Sequence, residues 1–502
     1  MKKIFIKVTN EKIGKIEPNV FGSFVEHLGR SIYDGIYNEN SAYKNERGFR
    51  TDVLKAIKEL GVSIIRYPGG NFVSQYEWKK GIGPKEKRPT CLNLAWKEIE
   101  PNYVGIDEFI PEMQGNGHDI MMAFNLGTAD VFDNIDLITY CNSTLDVEYS
   151  NLRKQNGHND PYNIKYRCLG NEMDGEWQIC QKSSEDYSKR AIEIAKIAKI
   201  IDSNCKLIAC GSSSPYSPTF PERDKTVLNK TFGYIDYLSI HCYLSYLDLN
   251  NKNIKQFLGS ACVLDSYIQT AKKLIKDEKI SRGSTKEIYL SLDEWNVWHN
   301  YSDNQKPERE RGYMNHIVEN TYDYADTLVF ASMLITILNN VDYIKIACLA
   351  QLVNVIAPIM TKNDDLLLQG TYYPFAILAN SIKGYYSIKC EDNIPYFQYN
   401  ESNESPYIYK NIAYSKEKNE YVISLINVSD EELNINITLN RNGNIYKKIF
   451  LQDIALNAKN TFEKKDAIKP VILECLEKFE GSFDNILKPY SLCILYIKGK
   501  EK

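Results

Sequence analysis

The chain lacks the features that mark a membrane protein, a zinc peptidase or a nucleic-acid-binding protein. No apolar run in its 502 residues approaches the roughly 18 residues that a membrane-spanning helix needs. Its 61 basic and 65 acidic residues leave a net charge of −4, and the basic residues are spread along the chain. We therefore expect no nucleic-acid partner and no membrane partner. Neither an HExxH zinc motif nor a phosphate-binding P-loop occurs.

The chain also lacks a disulfide framework. Its twelve cysteines are scattered without a CxxC pair, and several lie in apolar segments: Cys168, Cys210, Cys242, Cys348 and Cys493. Buried free cysteines are typical of a reducing compartment. The first residues carry too short an apolar stretch to predict a signal peptide. The sequence therefore predicts a cytoplasmic protein.

Eight short apolar segments alternate with stretches of helical period between residues 19 and 370. The predicted strands are 20–26, 63–67, 120–125, 164–169, 206–210, 234–240, 287–292 and 343–349; helices include 52–60, 184–201, 264–277 and 322–338. Eight such repeats predict an α/β fold, the (β/α)8 TIM barrel. A doubly wound open sheet is the alternative, but it binds its ligand at one switch point. Polar residues follow nearly every strand here, which favours the barrel.

The sequence changes character after residue 378. Alternating runs at 407–414, 420–428, 433–439, 446–454 and 491–497 predict an additional C-terminal antiparallel β-sandwich, jelly-roll-like. The alternating run at residues 4–8 adds a strand to it. We therefore expect an N-terminal strand over residues 1–15, a catalytic barrel over 16–377 and a β-sandwich domain over 378–502.

Two glutamates stand where predicted strands end. Glu172 follows the fourth strand, and Glu294 follows the seventh. Burying an unpaired carboxylate is costly, so such acids are paired or used. Two carboxyl groups facing one cavity are the minimal equipment for cleaving a glycosidic bond. Taken singly, each could be a capping or salt-bridged acid.

Other strand ends carry groups that recognise hydroxyls. They are Glu26, Arg66, Asn71, Asn171, His241, Tyr243 and Gln351, with Trp96, Trp177 and Trp298 as aromatic faces. Each has a structural alternative: Glu26 could pair only with Arg66, His241 could be a core histidine, and Asn171 could cap a helix. Trp96 and Trp298 could be packing residues. Barrel active sites lie at the C-terminal ends of the strands, which favours one pocket.

These motifs resemble the α-L-arabinofuranosidases of glycoside hydrolase family 51. The matching segments are FGSFVEHLGR at residues 21–30, RYPGGNFV at 66–73, CLGNEMDG at 168–175, DEWNVW at 293–298 and AQLVN at 350–354. The chain departs from the family pattern at Tyr67, at residues 129–130 and at Cys242. The departures leave both glutamates intact and concern the leaving-group side of the site.

The resemblance implies roles for individual residues. It makes Glu172 the general acid/base and Glu294 the nucleophile of a retaining, exo-acting enzyme. The implied substrate-binding residues are Glu26, Asn71, Trp96, Asn171, Tyr243, Trp298 and Gln351, while Arg66 and His241 support the pair. It also implies an arabinose-containing oligosaccharide as substrate, no metal, no cofactor, and a homo-oligomer of six chains.

Two other functions stay open from the sequence. A β-xylosidase or endo-β-glucanase would use the same barrel and the same pair of acids. A carbohydrate-binding protein without catalysis is the alternative from another class, and retention of both glutamates argues against it.

Overall fold

The computed structural model describes residues 4–247, 253–299, 312–439 and 441–499. Eight parallel strands close into a barrel in sequence order, with the eighth paired to both the seventh and the first. They are Gly22–Phe24, Ile64–Tyr67, Asp119–Ala123, Tyr166–Leu169, Lys206–Cys210, Tyr237–Leu244, Tyr289–Val297 and Ile344–Leu349. The predicted barrel is confirmed, and the open sheet is excluded.

Helices cover the outside of the barrel. They are Thr51–Leu60, Ile106–Gly115, Val131–Asn142, Glu148–Gln155, Ser184–Ile201, Glu222–Thr231, Ile254–Gly259, Ala261–Ser281, Tyr324–Leu338 and Tyr372–Ser381. The helix Ser184–Ile201 begins where the Ser183 side chain accepts a hydrogen bond from the backbone N–H of Asp186. The helix Tyr324–Leu338 is buried along its whole length, because the barrel lies on one side and a second sheet on the other.

Short elements fill the loops around the barrel. Within the described residues, 3₁₀ turns occur at Pro18–Phe21, Asn71–Gln75, Trp78–Gly81 and Lys85–Lys87. Three antiparallel pairs join Cys91–Asn93 to Glu98–Glu100, Ile359–Lys362 to Asp365–Leu368, and Tyr396–Gln398 to Glu404–Pro406. Pro18 starts a 3₁₀ turn just before the first barrel strand, which is why this strand is shorter than the predicted 20–26.

The second sheet has nine strands. They are Ile4–Lys15, Tyr386–Asp392, Ile408–Ser415, Glu420–Asn427, Leu433–Thr438, Gly443–Leu451, Val471–Phe479, Ser482–Leu487 and Ser491–Gly499. The strands enclose a core that includes Ile6, Ile423, Ile437 and Leu495. The sheet is mostly antiparallel as predicted, but Ile4–Lys15 runs parallel to Leu433–Thr438.

The N-terminal strand pairs with Tyr386–Asp392 on one side and Leu433–Thr438 on the other. The predicted boundary at 377/378 falls inside the helix Tyr372–Ser381. We propose that the barrel region ends after this helix. Residues 1–3 and 500–502, the outer ends of the predicted regions, lie outside the described residues.

The barrel and the sheet share one apolar core. Val422, Ile426 and Ile494 of the sheet belong to the same buried cluster as the barrel helices. The Tyr324 hydroxyl donates hydrogen bonds to the backbone carbonyls of Leu451 (2.7 Å) and Tyr490 (2.9 Å). Among the described helices, none is long and apolar enough to cross a membrane.

Candidate active site

A β-bulge in the seventh barrel strand places Glu294. Leu292 pairs with Ile240 and Glu294 pairs with the next residue, His241, so Asp293 is an extra residue in the ladder. Side chains normally alternate along a strand, yet Asp293 and Glu294 both face the barrel interior. Asp293 contacts the Cys168 thiol at 3.7 Å, and Glu294 contacts Arg66.

Glu294 is surrounded by groups that favour its charged form. Arg66 donates to its Oε1 at 2.7 Å, and the Tyr243 hydroxyl donates to its Oε2 at 2.7 Å. His241 Nδ1 lies 3.6 Å from the same Oε2. Burial alone would raise the pKa of Glu294, but the charges of His241 and Arg66 and the hydrogen bond from Tyr243 hold it below its ordinary value. Glu294 is therefore ionised at neutral pH.

Glu172 has fewer neighbours than Glu294 that favour the charged form of a carboxyl group. Its Oε1 is 2.9 Å from His241 Nδ1, and its Oε2 accepts a 2.6 Å hydrogen bond from the Trp177 indole N–H. Its backbone φ of 42° lies in the left-handed region. Burial raises the pKa of Glu172, the His241 hydrogen bond opposes this, and the charge of Glu294 adds to the rise. Glu172 is the better proton donor of the two.

His241 lies between the two carboxyl groups. Burial lowers the pKa of His241, but the charge of Glu294 and the hydrogen bond to Glu172 outweigh it, so the pKa lies above the ordinary value. Ligand atoms of Glu172, His241 and Glu294 all lie within 4.8 Å of one another. One oxygen of Glu172 and one oxygen of Glu294 therefore lie no more than 4.8 Å apart, close enough for the charge of one acid to raise the pKa of the other.

Glu26 is a third buried acid in the pocket. Its Oε1 accepts hydrogen bonds from the Phe72 backbone N–H (2.8 Å) and the Trp96 indole (2.9 Å). Its Oε2 accepts one from the Gln351 amide at 3.3 Å. Burial raises the pKa of Glu26 to about 8, although the bonds from Phe72 and Trp96 oppose the rise. Arg66 donates to Glu294 and Asn171, so Glu26 is not merely its salt-bridge partner.

The buried amide of Asn171 and the half-buried amide of Asn71 form a hydrogen-bonded pair beside Arg66. Asn171 Oδ1 accepts a hydrogen bond from Arg66 Nη2 at 2.6 Å, and its Nδ2 donates to Asn71 Oδ1 at 3.2 Å. Asn171 therefore belongs to the pocket and does not cap a helix. Gly70 borders the pocket, since a Cβ built there would lie 3.0 Å from Glu294 Oε1.

The predicted aromatic residues divide between two sides of the pocket. Trp96 reaches Glu26, while Trp298 packs edge-on against Tyr243 with ring centroids 5.1 Å apart. The eleven predicted site residues thus form two groups of contacts, one around Glu172 and Glu294 and one in which Glu26 binds Trp96 and Gln351, and the charge of Glu294 acts on Glu26. Two further members of the first group were not predicted. Trp177, considered only as a stacking face, bonds Glu172, and Gln178 bonds Asn171. Both residues follow the segment 168–175 that contains Glu172 almost directly, and this closeness in the sequence could have indicated them.

Glu172, His241 and Glu294 are also, among the described residues, the three acidic or metal-binding side chains close enough to share a cation. Their ligand atoms already have protein partners. Arg66 and Tyr243 donate to the two oxygens of Glu294, and Trp177 donates to Glu172. A guanidinium 2.7 Å from a carboxylate repels a second cation there. The arrangement suits proton transfer better than metal binding.

Comparison with known proteins identifies the family. A model of the α-L-arabinofuranosidase 1 domain matches residues 56–256, and one of the α-L-arabinofuranosidase C-terminal domain matches residues 293–491. The intracellular exo-α-(1→5)-L-arabinofuranosidase 1 of Bacillus subtilis is 39% identical over 472 residues, which are 93% of this chain and 94% of the relative. The family 51 α-L-arabinofuranosidase structure from Bifidobacterium longum has a TM-score of 0.92 at 34% identity, covering 98% of this chain and 99% of that one.

The chain belongs to glycoside hydrolase family 51. This family 51 enzyme is an exo-α-L-arabinofuranosidase. It is also similar to the intracellular exo-α-(1→5)-L-arabinofuranosidase of Acetivibrio thermocellus, with 42% identity over 435 residues and 85% of each chain covered. The predicted family and enzyme class are thereby confirmed.

Proposed function

We propose that this enzyme releases terminal non-reducing α-L-arabinofuranosyl residues by double displacement with retention of configuration. The observation that carries the proposal is the pairing of two carboxyl groups, with ligand atoms within 4.8 Å, whose pKa values are shifted in opposite directions. A retaining glycosidase needs one ionised and one protonated acid at this separation.

In the first step, Glu294 attacks the anomeric carbon. The bond from that carbon to the leaving oxygen breaks, and the leaving oxygen takes the proton of Glu172. In the second step, Glu172 takes a proton from water, and the water oxygen displaces Glu294. Arg66, Tyr243 and His241 keep Glu294 ionised before the attack.

The other pocket residues bind the sugar ring. Asn171 is next to both acids and is suited to hold the hydroxyl beside the anomeric carbon, where contacts strengthen in the transition state. The hydroxyls further round the ring face Glu26, Asn71, Tyr243 and Gln351. Trp96 and Trp298 border the pocket at its edges.

The names of the relatives guide the choice of substrate. The Bacillus and Acetivibrio enzymes are named for exo-α-(1→5) activity and as intracellular. We propose that this enzyme likewise acts inside the cell, on arabinose-containing oligosaccharides from hemicellulose or pectin side chains.

Chemical rescue tests the roles of the two acids. Glu172→Ala should slow substrates with poor leaving groups severely, and a substrate with an activated phenolate leaving group less. With the activated substrate, the glycosyl-enzyme of Glu172→Ala should accumulate, because the base that activates water is missing. Azide needs no general base, so it should restore turnover and give an azide product of retained configuration. Glu294→Ala should form no glycosyl-enzyme with any substrate, and azide could yield only an inverted product.

NMR of the azide products decides the assignment. An inverted product from Glu172→Ala, or a retained one from Glu294→Ala, would mean that the two roles are exchanged. An inverted arabinose from the unaltered enzyme would exclude double displacement altogether.

We further propose that six chains assemble into a homo-oligomer, as the resemblance implies. The edge strand Val471–Phe479 supports a contact between chains, because it exposes Val471, Ile472 and Leu476. Sedimentation velocity at micromolar concentration should give a particle of six chains. A monomer would contradict the assembly and leave the catalytic proposal untouched.

A further inference from the structure

Gln178 is a buried amide with no role in the mechanism described above. Only 3% of it is exposed, and both ends of its side chain are bonded. Its Oε1 accepts a hydrogen bond from Asn171 Nδ2 at 3.2 Å. Its Nε2 donates to the Ser74 hydroxyl and, at 3.4 Å, to the backbone carbonyl of Asn71. Gln178 thus connects the two asparagines from behind the pocket.

The orientation of each amide in this chain is fixed, because one end of the chain meets a group that can only accept a hydrogen bond and the other end meets a group that can only donate one. The carbonyl of Asn71 can only accept, so the nitrogen of the Gln178 amide must face it. The oxygen of Gln178 then faces Asn171 and requires the Asn171 nitrogen there. At the other end, the Arg66 guanidinium can only donate, which places the Asn171 oxygen next to it.

The orientation of the Asn71 amide is determined by its hydrogen bond with Asn171. Both amide hydrogens of Asn171 are engaged, one with Asn71 Oδ1 and one with Gln178 Oε1. Asn71 therefore turns its oxygen inward, and its own NH₂ group has no bond to any described residue. Asn171 keeps one free lone pair on Oδ1. The pair thus offers a donor at Asn71 and an acceptor at Asn171.

We propose that Gln178 is a positioning residue that sets which end of the Asn171 and Asn71 amides faces the sugar. Without Gln178, Asn171 Nδ2 loses one of its two acceptors, and both asparagine amides can rotate away from the productive arrangement. Gln178 does not touch the substrate, so its effect passes through the hydroxyls that Asn171 and Asn71 hold, and chiefly through the one beside the anomeric carbon, whose contact with Asn171 strengthens in the transition state. This inference rests on the proposed function, in which Asn171 binds the hydroxyl beside the anomeric carbon.

The test compares two substrates on each variant: 4-nitrophenyl α-L-arabinofuranoside and its 2-deoxy analogue, each corrected for spontaneous hydrolysis. Gln178→Met keeps the volume of the side chain but makes no hydrogen bonds. It should lower kcat/KM for the arabinofuranoside by about 10-fold to 100-fold, as expected for an unpaired buried group, mostly through kcat. For the 2-deoxy analogue the loss should be at least about 3-fold smaller, and what remains of it passes through Asn71. Gln178→Glu cannot donate to Asn71 but still accepts from Asn171 Nδ2, so the gap between its losses on the two substrates should be smaller than for Gln178→Met.

Gln369→Met is the matched control. Gln369 is equally buried, and its amide also makes three hydrogen bonds, to Tyr322, Asn320 and Ala357, but none to the asparagine pair. This variant should affect both substrates equally. Equal losses on the two substrates for Gln178→Met, or no loss on either, would overturn the proposal.

Asn171→Ala, measured alongside, separates this inference from the proposed function. If Asn171→Ala affects the two substrates equally, the assignment of Asn171 itself fails. If Asn171→Ala discriminates between them but Gln178→Met does not, only the role of Gln178 fails. Thermal unfolding of each variant shows that the comparison is made on folded protein.

Discussion

The proposed roles of Glu172 and Glu294 depend on their neighbours, since both are glutamates in one pocket. Glu294 has Arg66, Tyr243 and the near edge of His241 around it, whereas Glu172 has two neutral or shared N–H donors. Two like charges this close destabilise each other, so the acid with the more favourable charges and hydrogen-bond donors around it keeps its charge. The protonation pattern is a property of the pair.

Replacing Tyr243 tests this explanation. Tyr243→Phe removes the hydroxyl that donates to Glu294 Oε2 at 2.7 Å. Because that bond favours the ionised acid, its loss should raise the pKa of Glu294, by about one unit for a hydrogen bond to a charged group. The low-pH limb of kcat/KM should therefore move to higher pH. The profile is measured with 4-nitrophenyl α-L-arabinofuranoside.

Tyr237→Phe provides the control for this variant. Tyr237 lies at the opposite end of the same barrel strand, where its ring packs against Tyr166 and Tyr289. Its substitution should leave the limb in place. An unmoved limb in Tyr243→Phe would mean that Arg66 and His241 alone determine the pKa of Glu294.

The positions of the acids and the supporting roles of Arg66, His241 and Tyr243 could be predicted from the sequence, but the geometry of their contacts could not. Glu172 and Glu294 follow buried strands, and barrels place such residues at one mouth. That His241 bridges both acids depends on the bulge at Asp293, which shifts the register of two strands by one residue. No periodic pattern of residues in the sequence indicates where a bulge occurs, so this contact could be recognised only in the structure.

The turn that follows the fourth barrel strand acts as one unit. The Gly175 N–H donates to the Glu172 carbonyl, and the Gln178 N–H donates to the Gly175 carbonyl. A Cβ on Gly175 would lie 2.4 Å from the Trp177 indole, so the ring rests directly on the glycine. The turn thereby fixes Trp177 over Glu172.

Gly175→Ala should push the indole away from Glu172. Since the lost hydrogen bond favours the ionised form, the pKa of Glu172 should rise and the high-pH limb of kcat/KM should extend to higher pH. Trp177→Phe should shift the same limb in the same direction. Gly115→Ala, where a Cβ meets nothing within 4 Å, should shift neither limb. A limb unaffected by both variants would be assigned to another group, such as Glu26.

Regular elements followed their sequence patterns to different degrees. The helix Ser184–Ile201 matches its predicted bounds, because an N-cap serine and a clear helical period define it. The strand Val471–Phe479 was missed, since apolar residues at 471, 472 and 473 break the alternation and most of the strand is exposed. The strand Tyr386–Asp392 does alternate and could have been predicted.

At the scale of the whole molecule, the barrel and the nine-stranded sheet are joined by a continuous core. The helix Tyr324–Leu338 packs on the barrel and on strands Ile408–Ser415 and Glu420–Asn427. Asn339 also donates a hydrogen bond to the Lys410 carbonyl at 2.8 Å. Neither part can lose its structure without exposing the buried face of the other.

The two parts should therefore unfold together. Urea unfolding followed by near-ultraviolet circular dichroism and by tryptophan fluorescence should show one transition, with the same midpoint urea concentration for both signals. Tyr324→Phe removes the hydrogen bonds to Leu451 and Tyr490. It should lower the free energy of unfolding by about 1 to 3 kcal/mol, and so lower the midpoint, without splitting the transition. Tyr396→Phe, at an exposed position, should leave it unchanged. Two separate transitions would contradict the shared core.

Three buried acids in one pocket also constrain how this lineage can adapt to heat. Glu26, Glu172 and Glu294 are each removed from water at a cost to folding, and Glu172 adds a left-handed backbone. Selection for activity forbids relief of that cost where it arises. Heat-tolerant descendants would have to accumulate their stabilising substitutions elsewhere, in the nine-stranded sheet and the outer helices, while the mouth of the barrel stays unchanged.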